Sequence, residues 1–342
     1  MCSFIYNVGK SIIDGIKDCL FLQTGKNDNK IFPQEKSKNE FSFKYDESEI
    51  FWCEWWTLYF YGGAGNKIFG MINYIYIKGL NEIGKCIIYP AICDGDNKYN
   101  SFDYHDIKDF VHNDNLIKIS TNEINKLSDD KYTFEGCNKD NNIKWNLTID
   151  KEKYSPLNVA QNLKLGIKSI VNLPITEKLS FSSVIPLGSI TGNITLFGKT
   201  FEIKQCGEME HLWGNVVLPT INWNLMFGSD TNHNLIYWLH TPMTSTQEEK
   251  GCIYLNLNNN VHLIRDYEIY EQKSNNEYPD VITIKCPINN LIITYNVLTL
   301  SASNDGNASE NHVKITILSD NKIYELFGMA EYHRSKNKIL IN

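Results

Sequence analysis

The chain has 342 residues and a formal net charge of −7, and 42% of its residues are hydrophobic. That is enough apolar material to bury cores in about two domains of ordinary size, and it excludes global disorder. The acidic balance, with Arg265 and Arg334 the only arginines, leaves little to hold phosphate or read bases and argues for no nucleic-acid partner.

Residues 4–20 read as an amphipathic helix. Ile5, Val8, Ile12, Ile16 and Leu20 recur at helical spacing, and Asn7, Lys10, Asp14 and Lys17 take the other face. Such a helix either packs across a barrel end or makes peripheral membrane contact. Its polar face is not strongly basic, which favours packing. The same charges interrupt any signal-peptide core, and no apolar run approaches the ~20 residues that span a bilayer. The expected location is cytoplasmic. Residues 25–39 are polar, carry Pro33, and read as a linker.

From residue 41 the pattern turns strand-like. Phe41, Phe43 and Tyr45 alternate. Trp56, Leu58 and Phe60 share one face of a run whose other face carries Trp55, Thr57, Tyr59 and Tyr61. A glycine-rich turn at 62–67 leads into a second β-rich run at 68–77. Later hairpins turn at Gly198-Lys199, Asn289-Asn290 and Asp320-Asn321. Many short strands joined by Asn, Gly and Asp predict an all-β barrel or sandwich, and the lack of helical periodicity excludes a parallel α/β sheet. The stretch 154–186, with Pro156, Pro174 and Pro186, is the weakest, and the domain boundary is expected there. The expected segments are 1–40 (helix and linker), 41–172 (first barrel) and 173–342 (second barrel).

The nine cysteines are an odd number with no C-x-x-C pair, which fits a reducing compartment and argues against a zinc ribbon or other metal site. Gly62–Gly65 lacks the strand–loop–helix context of a phosphate loop, so no cofactor is expected. Sequons at Asn146, Asn193 and Asn307 are what chance supplies in an Asn-rich chain.

Two signals carry chemistry. Glu54-Trp55-Trp56-Thr57-Leu58-Tyr59-Phe60 puts aromatics on both faces of one strand, either as plain core or as one wall of a cavity for a hydrophobic ligand. Gly207 to Asn215, with Glu208, Glu210, His211 and Trp213, brings acid, imidazole and indole together between glycines. A buried carboxylic acid can protonate a substrate, and an indole face can stabilise the resulting cation. The competing reading is a surface Glu beside a structural His–Trp pair.

With these motifs in this order, the chain resembles the carotenoid 1,2-hydratase/AttH-like group of double-lipocalin proteins, which includes fungal hydratases and Diels–Alderase-like pericyclases. The matching residues are Glu54 to Gly65, Ile190 to Asn193, Gly207 to Gly214, Trp223, and Gly328-Met329-Ala330-Glu331-Tyr332. The resemblance implies two lipocalin-like antiparallel β-barrels. It also implies a cofactor-free hydratase, cyclase or isomerase whose hydrophobic unsaturated substrate sits between the barrels. By position Glu210 is the implied proton donor, although the hydratases usually carry Asp there. His211 would relay the proton, and Trp56, Trp213, Trp223, Tyr59 and Tyr61 would bind substrate. Ceramide-transfer proteins with an N-terminal helix are similar too. They imply the alternative, a lipid carrier docked to membranes by residues 4–20. For Glu210 and Trp213 to reach one cavity, the strand must bulge or end between Met209 and Gly214.

Overall fold

In a computed structural model the described residues run from Phe41 to His333, apart from 46–48, 50, 64–66, 79–83, 96, 153–158, 171–172, 216–222, 242–249, 273–277, 288–289 and 303–307. The expected helix at 4–20 and its linker lie outside them. Among the described residues there is no α-helix and no helix long and apolar enough to cross a membrane; a 3-10 turn stands at Ile107–Asp109.

The described chain forms two curled antiparallel half-barrel sheets. The first contains β1 (Trp52–Tyr61), β2 (Ile68–Lys78), β3 (Gly84–Asp94), β4 (Asn97–Asn100), β5 (Asp103–Asp106), β6 (Phe110–Asn113) and β7 (Leu116–Ile119). It continues with β8 (Asn122–Ser128), β9 (Lys131–Cys137), β10 (Ile143–Lys151), β11 (Val159–Ile170), β12 (Leu173–Leu196) and β13 (Lys199–Gly214). Its order is β4-β3-β2-β1-β13-β12-β10-β9-β8-β7-β6, with β11 on β12 and β5 on β3. The second sheet holds β14 (Trp223–Ser229), β15 (Leu235–Thr241), β16 (Lys250–Leu257), β17 (Asn260–Ile264), β18 (Glu268–Gln272), β19 (Val281–Cys286), β20 (Leu291–Ala302), β21 (Ala308–Ser319) and β22 (Lys322–His333). Its order is β17-β16-β15-β14-β22-β21-β20-β19-β18.

Alternation explains which face is buried. In β10, Ile143, Trp145, Leu147 and Ile149 are buried, while Lys144 and Asn146 are exposed. Tight turns use residues that tolerate positive φ: Asn258 and Asn259 (51° and 66°), then Asp320 and Asn321 (48° and 61°). Inside β12, Gly192 has φ 135°, and a Cβ there would lie 2.1 Å from the Asn146 carbonyl oxygen. Only glycine fits that crossing.

The sheets divide the chain later than the expected boundary at 172/173. Leu173–Leu196 and Lys199–Gly214 belong to the first sheet, and compact unit 2 takes up the chain at Leu218. The prolines that suggested a break are accommodated without one. Pro174 sits at the start of β12, opposite the edge strand β11, and Pro186 falls in a register jump between Ile185 and Gly188. Neither place requires a regular ladder N–H. Unit 1 comprises the described parts of Met1–Phe60, Met71–Ile92 and Tyr99–Val217, and unit 2 those of Tyr61–Gly70, Cys93–Lys98 and Leu218–Asn342.

Candidate functional site

Alternation along β1 puts Glu54 on the same face as Trp56, Leu58 and Phe60, and all four are fully buried. Glu54 is held by four contacts. The Lys44 backbone N–H donates to both carboxylate oxygens (2.8 and 3.1 Å), and the Trp52 indole N–H donates to Oε2 (2.8 Å). The fourth is His211, whose Nε2 lies 2.8 Å from Glu54 Oε1, with neither side chain exposed. Both oxygens of Glu54 act as acceptors, so Nε2 of His211 donates. Burying this pair is costly unless the partners satisfy each other, which this geometry provides.

The imidazole is packed between indoles. His211 stacks on Trp56 at 4.8 Å and 12°, and meets Trp213 at 4.6 Å and 37°. Trp56 is pinned by its N–H, which donates to the Phe41 carbonyl (3.0 Å). Half-buried Phe43 and Phe110 each meet the Trp56 ring at 6.3 Å, so with half-buried Trp213 the surroundings of the imidazole are aromatic. Lys44 places its ammonium 5.7 Å from the Trp213 ring centroid. Burial, reinforced by the Glu54 charge, pushes the neighbouring Cys53 thiol well up.

Glu210 is buried, at 2% exposure, but occupies the other face of β13 from His211 and Trp213. It pairs across the ladder with Ser183, whose hydroxyl donates to Glu208 at 2.5 Å. From Glu210 to Gly214 the pairing with β12 is unbroken. The irregularities lie in β12, between Ser183 and Ile185 and between Ile185 and Gly188, so β13 keeps its alternation through the motif. Tyr59 is buried in unit 1.

The other two aromatics expected at the site belong to unit 2. The Tyr61 hydroxyl lies 3.3 Å from Ser229 Oγ, and the Trp223 indole donates to Glu331 at 3.0 Å. Glu331 faces Glu310 directly across β21 and β22. Burial first, and the Glu331 charge second, hold the Glu310 carboxyl well above the usual carboxylate range. Two residues on, His312 is buried, stacks on Phe69 at 4.8 Å and donates from Nε2 to the Gly62 carbonyl at 3.1 Å. Burial lowers its pKa, and that hydrogen bond opposes the shift.

Glu54 and Glu331 lie within the sequence motifs above without a role implied for them, and Glu310 lies outside those motifs. A signal for Glu54 was present: a lone charge on a face otherwise made of Trp56, Leu58 and Phe60 must find a partner inside. Nothing in the sequence marked Glu310.

No protein-family model matches the chain, and no curated protein matches it in sequence. Solved structures do. An AttH-like protein from Nitrosomonas europaea superposes with a TM-score of 0.62 at 11% identity, covering 89% of this chain and 99% of that one. Kievitone hydratase from Nectria haematococca gives a TM-score of 0.59 at 14% identity, covering 82% of this chain and 89% of that one. Both are of the double-lipocalin type, and the chain has the fold of the group that its motifs resemble.

Proposed function

We propose that the chain is a hydratase-type acid–base enzyme acting on a hydrophobic, unsaturated small molecule. The observation that carries this reading is the buried Glu54–His211 pair held between two indoles. The shared fold with kievitone hydratase supports the reaction class. Glu54 fixes the imidazole through Nε2, so proton exchange with substrate runs through Nδ1. Imidazolium gives its proton to one alkene carbon. Water adds through oxygen to the other carbon, and its spare proton returns to Nδ1, so the net change is addition of one water. The faces of Trp56 and Trp213 stabilise the cationic imidazole and the developing carbocation.

The test presents unsaturated hydrophobic compounds, kievitone among them, in ¹⁸O-labelled water and follows incorporation by mass spectrometry. His211→Ala is expected to lower turnover per folded molecule by roughly 10²–10⁴-fold, alongside a loss of stability from the stranded Glu54. Glu210→Gln, on the opposite face, is expected to leave it intact. The reverse pattern makes Glu210 the donor and removes His211 from the chemistry.

A further inference from the structure

We propose that an exposed aromatic patch at one end of the first sheet, built on Phe102, Tyr104 and Phe197, docks the chain on an anionic lipid surface. This inference stands independently of the acid–base reading of Glu54 and His211, and it concerns a different part of the chain from residues 4–20.

A single exposed apolar side chain needs no explanation, but a group of large ones does. Phe102, Tyr104 and Phe197 are 51%, 58% and 64% exposed. Half-buried Tyr89 and Tyr99 support them from beneath. Phe102 stacks on Tyr89 at 4.0 Å and 10°, and Phe197 meets Tyr99 at 5.5 Å and 42°. Tyr104 follows two residues after Phe102, on β5, where it pairs with Ile87 of β3.

Hydrogen bonds of the backbone bring these residues to one place. The Ser101 N–H donates to the Pro90 carbonyl at 3.3 Å and holds the stretch before β5 against β3. The Lys139 N–H donates to the Asp103 carboxylate at 2.6 Å, which ties β5 to the turn between β9 and β10. At the other end of that turn, the Phe197 N–H donates to the Asn142 carbonyl at 2.7 Å. Strand β5 and the β12–β13 hairpin tip therefore flank the same turn, 138–142.

Charge here runs against that of the whole chain. Lys139, Lys144 and Lys199 are exposed, and Asp140 is the only acid within 138–144 and 195–200. Asp103 is buried, with its carboxylate on the Lys139 N–H. A chain of net charge −7 would approach an anionic surface with such an end first. Phe and Tyr beside Lys is also the composition that suits a membrane–water interface: the rings enter the headgroup layer and the ammonium groups meet lipid phosphates. A second copy of the chain is the poorer occupant, because a two-fold contact through this patch would bring the lysines of both copies together.

The probes are vesicles of phosphatidylcholine alone and of phosphatidylcholine mixed with phosphatidylserine, co-sedimented with the full chain. Binding is expected on the mixed vesicles and not on the neutral ones. Phe102→Ser/Phe197→Ser should weaken it by about tenfold or more. Lys139→Gln/Lys199→Gln should weaken it by roughly twentyfold, about fivefold for each lysine. Ile12→Lys/Ile16→Lys should leave it in place. A measurement needing no variant runs beside these: amide hydrogen exchange at 101–105 and 197–199 should slow on the mixed vesicles, and it decides the matter if the phenylalanine variant melts early. No binding to mixed vesicles, equal binding to both kinds, binding that survives the folded phenylalanine variant, or unchanged exchange at those amides overturns the proposal. So does release by Ile12→Lys/Ile16→Lys, which assigns the contact to residues 4–20, or a dimer that Phe102→Ser/Phe197→Ser dissolves, which assigns the patch to a second copy.

Discussion

Nε2 of His211 meets Oε1 of Glu54 at 2.8 Å across 157 residues of chain, with both side chains fully buried. Neither group has water to fall back on, so each depends on the other. Glu54→Ala should cost about 3–5 kcal/mol, because the imidazole and the Lys44 and Trp52 N–H donors lose their acceptor. The double variant Glu54→Ala/His211→Phe should recover part of that loss. Urea unfolding measures both, and a single-variant loss below about 1 kcal/mol would contradict the coupling.

Glu310 gives a pH signature. Its folded-state pKa lies above the usual 4.5. Between those two values the folded protein holds a proton that the unfolded chain has released, so stability falls as pH rises through that window. Glu310→Gln removes the penalty. The variant should melt above wild type at pH 7, and the two should converge as pH drops below about 4. Equal melting temperatures at pH 7 would refute it.

His312 acts with the opposite slope. Its folded pKa lies below the usual 6.5. On acidification the unfolded chain takes up a proton that the folded state refuses, so stability falls as pH drops below about 6.5. In His312→Asn this part of the loss should vanish, seen as a shallower slope of melting temperature between about pH 6.5 and 5. An unchanged slope would mean that His312 is solvated in the folded state.

Gly192 tests the register of β10 on β12. A Cβ at this position would sit 2.1 Å from the Asn146 oxygen, at a φ of 135°. Gly192→Ala should therefore destabilise by about 1–3 kcal/mol or more, whereas an ordinary Gly→Ala change in a strand is neutral or favourable. Chemical denaturation decides between the two.

The lipid-carrier alternative turns on residues 4–20. If they dock the chain on membranes, the protein should co-sediment with anionic liposomes, and Ile12→Lys/Ile16→Lys should release it. Absence of binding by the intact chain would remove that reading.

Period-2 alternation by itself determined that the described residues form β-sheet, because the choice of buried face depends only on neighbours along one strand. It put Trp56 with Leu58 and Phe60, and His211 with Trp213, as the structure has them. Turn residues marked the hairpin at Asp320-Asn321 for the same local reason: φ above zero is a property of the residue itself. Tertiary structure decided what is non-local. Proline at 174 and 186 suggested a break, yet an edge position and a register jump absorb both, so β12 and β13 complete the first sheet. The pairing of Glu54 with His211, and of Glu310 with Glu331, depends on which strands lie side by side. Strand order is set by how whole sheets bury their apolar faces, and no local pattern encodes it.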